Sequence, residues 1–182
     1  MKKDLSVSME AANLYAFIAV LPFILPFCGL YIYLWGWRRI FKIYDLSWLA
    51  LTVFLAAIIV GIIVHEVIHG LCWQLLGKKH PNAIKYGIDS KTLSPYAHCQ
   101  EPMKIKAYRL SVAMPGVLLG ILPATIGIVS GISSIFVYGL LFILAAGGDI
   151  FILWLLRKVR AGTLVEDHPT RAGCYITLPD RY

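Results

Sequence analysis

The sequence predicts an all-α membrane protein of about four transmembrane helices, with a cytoplasmic loop or short hairpin between helices two and three. Three observations carry this. Apolar residues make up 59% of the 182-residue chain and charged residues only 15%, against about 25% charged in soluble domains. The apolar residues are blocked into long runs. One polar region, 78–109, divides those runs into two pairs.

The first run, 11–37, contains Pro22 and Pro26 and ends at Arg38-Arg39. It is too long for the apolar core of a signal peptide and lacks a small-x-small cleavage site, so it reads as a retained span. The second run is 46–77. The third, 110–130, contains Pro115 and Pro123, and the fourth is 134–156. A spanning helix needs about 20 apolar residues, which each run supplies. The stretch GIVSGISS at 127–134 has the glycines and small polar residues of a tight turn. Segment 78–109 is rich in turn formers: Gly77, Pro81-Asn82, Gly87, Asp89-Ser90, Ser94-Pro95 and Pro102. Short hairpin strands or an irregular loop both fit it, and its length favours a functional loop over a connector. Residues 1–160 are expected to form one membrane-embedded domain, with 161–182 as a cytoplasmic tail.

The net charge of +7 follows membrane topology. With four spans, the N-terminus, segment 78–109 and the tail share one side. That side holds twelve lysines and arginines near the spans, against Arg38, Arg39 and Lys42 on the other. The positive-inside rule makes it cytoplasmic, with both termini. No interleaving of basic and aromatic residues marks a nucleic-acid module, so a nucleic-acid partner is not expected. The four cysteines form no CxxC pair, which disfavours a disulfide framework and a cysteine zinc site. The expected partner is the lipid bilayer.

Ionisable residues inside the last three spans are few. The second carries His65, Glu66 and His69, the third none, the fourth Asp149. Each costs about 2.5–3.5 kcal/mol in hydrocarbon, so each should face the bundle interior and have a role. His65 and His69, four apart, lie about 40° apart on one helical face and can converge on one ion. Glu66 projects beside them. This HExxH spacing lets a zincin hold Zn2+ and place a general base by the metal's water. In a chain of this composition chance would supply it only about 0.003 times.

A catalytic zinc needs a third protein ligand and an open position. Asp149, in LAAGGDIFILW, is the candidate. Counted from the outer helix ends at 1.5 Å per residue, His65, His69 and Asp149 lie roughly 28, 34 and 22 Å deep, all in the cytoplasmic half. The small residues Ala145, Ala146, Gly147 and Gly148 would let two helices approach and bring the aspartate to the histidines. His98 and Glu101 in segment 78–109, and Asp167 and His168 in the tail, reach the site only if their segments fold back. His80 is weaker still.

With HEVIH on one span and GGD on a later one, the sequence resembles the intramembrane zinc metalloproteases of the site-2 protease type. There an HExxH helix supplies two histidines and the catalytic glutamate, and an aspartate on a later span completes the zinc site. His65, Glu66, His69 and Asp149 match those roles, although the aspartate sits in GGDI here rather than LDG. A closer resemblance, from about Gly61 to Asp149, is to a small bacterial family of zincin membrane peptidases. It includes HEVIHG, AHCQEP and AMPG (113–116). These resemblances imply a zinc metalloendopeptidase of a bacterial cell membrane, acting on a membrane-associated protein or peptide near the cytoplasmic face. The residues also allow a second class: a non-catalytic zinc-binding membrane protein, either a metal or proton transporter or a scaffold for another membrane protein.

Overall fold

The computed structural model describes residues 2–42, 47–88, 95–168 and 171–177. Strand β1 (Lys2–Val7) leads into α1 (Met9–Trp35), whose N-cap Ser8 accepts from the Ala11 amide at 3.3 Å. Gly36, at φ 77°, ends that helix before the short α2 (Trp37–Ile40). Helix α3 (Trp48–Leu75) opens on Ser47, which caps the Ala50 amide. Strands β2 (Ile84–Ile88) and β3 (Pro95–Cys99) form an antiparallel hairpin, and β4 (Met103–Lys104) precedes α4 (Ile105–Pro115). A π-helical turn, Gly116–Ile121, joins α4 to α5 (Leu122–Ser130). Helices α6 (Ser133–Ala145) and α7 (Gly147–Leu156) follow, then β5 (Leu164–Asp167) and β6 (Ala172–Thr177).

Among the described residues, three helical stretches are long and apolar enough to cross a membrane: Ala11–Trp35, Trp48–Leu75 and Ile105–Ser130. A fourth crossing needs α6 and α7 together, bent by 47° at Ala146. The third stretch starts earlier than its apolar run, because Lys106 and Arg109 lie on the first turns of α4. Segment 78–109 takes the hairpin alternative. Its expected turn residues Asp89, Ser90 and Ser94 lie outside the described residues.

The chain is not all-α. Besides the hairpin, a four-stranded antiparallel sheet runs in the order β1-β6-β5-β4. The first and last described strands are neighbours, with Leu5 opposite Cys174. Strands of two to six residues, paired across nearly the whole chain, leave no local periodicity comparable with that of the spans. The tail strands instead show their fit in burial: Val165, Cys174 and Ile176 are all buried.

Two cores result. One gathers Tyr31, Ala124, Ile128, Phe136 and Ile143 between α1, α5 and α6, with Tyr31 and Phe136 stacked at 4.0 Å. Gly139 and Gly127 let α5 and α6 meet at backbone distance, and Gly131, at φ 69°, turns the chain between them. The other core joins Trp73, Ile84, Cys99, Met103, Tyr108, Leu156, Val165 and Cys174. It packs the ends of α3 and α7, the start of α4, the hairpin and the sheet into one body. The Arg109 guanidinium ties α4 to the end of α7 by donating to the Leu156 and Val159 carbonyls.

Candidate metal centre

Helix α3 packs chiefly against α4 and β3, and its buried stripe includes Gly61, His65, His69 and Trp73. The period of four puts both histidines on that stripe. Two glycines admit its neighbours: Phe142 and Tyr138 of α6 crowd Gly61, and the Tyr86 hydroxyl of β2 occupies the space a side chain on Gly70 would need.

Asp149 lies in the first turn of α7. The break at Ala146 makes that turn a helix N-terminus, where the backbone dipole favours a carboxylate. Gly147 does not serve the expected approach to α3. It faces α1, against the Ala16 backbone and Val20, while Gly148 opens onto free space. The close approach therefore anchors α7 to α1, and the bend aims Asp149 inward.

The structure brings together His65, His69 and Asp149, whose ligand atoms lie within 4.8 Å of one another. His65 Nε2 is 3.1 Å from Asp149 Oδ2, and His69 Nε2 is 3.4 Å from Oδ1. Both histidines are buried. Two ligands about 2.0–2.1 Å from a tetrahedral zinc stand about 3.4 Å apart, so these spacings suit one ion.

Hydrogen bonding gives a second, independent fit. His69 Nδ1 lies 3.1 Å from the Ser111 carbonyl. A carbonyl only accepts, so Nδ1 carries the hydrogen and Nε2 is left a lone pair. A lone pair facing a carboxylate oxygen at 3.4 Å needs a cation or a second proton between them. Among the described residues, buried His65 Nδ1 has no hydrogen-bond partner. The residues fit a metal with nitrogen and oxygen donors, and zinc suits that set.

The Ser111 carbonyl is available for a local reason. In an α-helix it would accept from the amide four residues on, but that residue is Pro115, which has none. The π-helical turn starts at the next residue. The proline of AMPG thus leaves His69 its hydrogen-bond acceptor, a role that motif does not reveal in sequence. Ser111 itself gives no signal, because the group it contributes is backbone.

Glu66 is only partly buried, and the Ala97 backbone of β3 lies near its carboxylate. The remaining candidates lie elsewhere. His98 Nδ1 faces Asp167 Oδ2 at 3.7 Å, Glu101 pairs with Lys79 at 3.2 Å, and His80 accepts from the Asn82 amide. His168 accepts from the Arg171 amide and meets the Tyr175 hydroxyl at 2.9 Å. Asp167 accepts from the Tyr108 hydroxyl and, at 2.9 Å, from the Cys99 amide. Burial raises the Asp167 carboxyl above the usual carboxylate range, although both donors oppose the shift. Burial also raises the Cys99 thiol and, with Asp167 nearby, pushes Cys174 up to about 12.

A family model described as "Putative zincin peptidase" matches residues 58–164, from the middle of α3 to the start of β5. The chain belongs to this family. No curated protein and no solved structure matches it. The family and the three-residue cradle together point to a metallopeptidase. A peptidase family implies a protein or peptide substrate, and the apolar helices are consistent with a membrane protein.

Proposed function

We propose that the protein is a membrane-embedded zinc metallopeptidase that hydrolyses peptide bonds near the cytoplasmic face. His65, His69 and Asp149 hold the ion and Glu66 is the general base. The convergence of two buried histidine Nε2 atoms on one carboxylate carries this reading. A zinc ion in that cradle supplies Lewis acidity that lowers the pKa of water to roughly 7.

The chain's own residues do the rest. Glu66 follows His65 directly and stays partly open to solvent. Its carboxylate takes a proton from the attacking water as the new C–O bond forms. It then returns a proton to the leaving amine as the C–N bond breaks. Strand β3, with the Ala97 backbone near that carboxylate, flanks it. Ser111 holds the His69 ring in the tautomer that turns Nε2 to the centre.

The test compares purified wild type with Glu66→Gln for zinc content and for cleavage of membrane-anchored peptides in proteoliposomes. The variant should keep its zinc and lose at least about a hundredfold in rate, as removal of a general base does. Cleavage at the wild-type rate by Glu66→Gln would sink the mechanism. Zinc-free wild type would sink the metal assignment.

A further inference from the structure

Asp167 lies beyond the stretch the family model matches, yet it touches both elements that pack on α3. Its side chain is only 14% exposed. Oδ1 accepts from the Tyr108 hydroxyl at 2.5 Å, and Oδ2 from the Cys99 amide at 2.9 Å. Tyr108 is buried in α4, three residues before Ser111, the acceptor for His69. Cys99 is in β3, two residues after Ala97, whose backbone lies near Glu66. One carboxylate therefore pins α4, which holds the acceptor of a histidine, and β3, which packs on α3 beside the glutamate. Strand β5 delivers it there: Val165 pairs with Met103, and the Ile105 amide donates to the Thr163 carbonyl at 3.0 Å.

We propose that Asp167, supplied by the C-terminal strand β5, is a positioning residue for the metal centre, acting on His69 through Tyr108 and α4 and on Glu66 through Cys99 and β3. The proposal rests on the zinc reading above. It makes the tail part of the catalytic body. Asparagine should replace Asp167 well, because its oxygen can accept from the Cys99 amide while its amide donates to the Tyr108 oxygen. Leucine, similar in size, leaves both donors unsatisfied.

The test uses the full chain in detergent, loaded with Co2+ as the probe. Visible absorption reports the geometry around the ion, and competition with a chromogenic chelator reports affinity. Asp167→Leu should shift the bands and weaken Co2+ about tenfold, the lower end of what outer-shell partners contribute. Asp167→Asn should restore both. Val165→Ala, which thins the same sheet without touching the network, should lower Tm and leave bands and affinity unchanged. If Asp167→Leu does not fold, Tyr108→Phe carries the test, with a smaller change in the same direction. Wild-type bands and affinity in Asp167→Leu, or in Tyr108→Phe, would overturn the proposal. So would a Val165→Ala loss as large as that of Asp167→Leu. Wild type without Co2+ bands would instead defeat the zinc reading itself.

Discussion

The two histidines of α3 were legible in the sequence because their relation is local, four residues on one helix. Asp149 was legible by elimination, as the lone carboxylate of the later spans. Their supports were not. The group that bonds the His69 ring is the Ser111 carbonyl, and every residue carries such a group. His98 shows the converse: a side chain suited to zinc, in a segment that does fold toward α3, yet turned to Asp167 at 3.7 Å, beyond hydrogen-bonding distance. The two residues therefore separate in a metal assay. After dialysis, Asp149→Ala should fall from about one ion per chain, as a single zincin site requires, to almost none. His98→Ala should keep its ion. Equal zinc in both variants, measured by plasma emission, would remove Asp149 from the cradle.

At the level of elements, hydropathy marked the spans well, since an apolar run long enough to cross a bilayer has few other uses. It marked their irregularities poorly. The AAGG stretch before Asp149 read as a helix-packing patch, and Gly147 does pack closely, but on α1. The bend at Ala146 has no counterpart in composition. The four-stranded sheet escaped because its strands are short and their partners distant. Pro115 is the instructive element-scale case. Inside α4 it removes one helical hydrogen bond, and that vacancy leaves the Ser111 carbonyl to His69. Pro115→Ala restores an amide that competes for this carbonyl. It should weaken metal affinity about tenfold while making the helix more regular. Unchanged affinity, by chelator competition, would mean the carbonyl serves both partners and the proline has another reason to be there.

Across the whole molecule, charge and strand pairing address the same question by different physics. The distribution of basic residues predicts that the N-terminus, segment 78–109 and the tail share one side. The sheet joins β1, β4, β5 and β6, which come from these same regions, and one sheet cannot straddle a bilayer. A sheet kept on one side fits an even number of crossings, the count reached if α6 and α7 act as one bent span. In intact proteoliposomes an impermeant thiol reagent should label Lys3→Cys and Glu101→Cys from the same side, and Ser47→Cys from the opposite one. Labelling of Lys3→Cys and Ser47→Cys from a common side would break the four-span topology.

The order β1-β6-β5-β4 also sets a schedule. At about 5–20 residues per second, chain growth from β1 to β6 takes on the order of ten to thirty seconds. Throughout that interval β1 waits without its neighbour, and by its end both histidines and Asp149 are already made. The strand that carries Asp167 emerges only after every span has been synthesised. A nascent chain thus completes α1 through α7 before it holds the strand that pairs with β1.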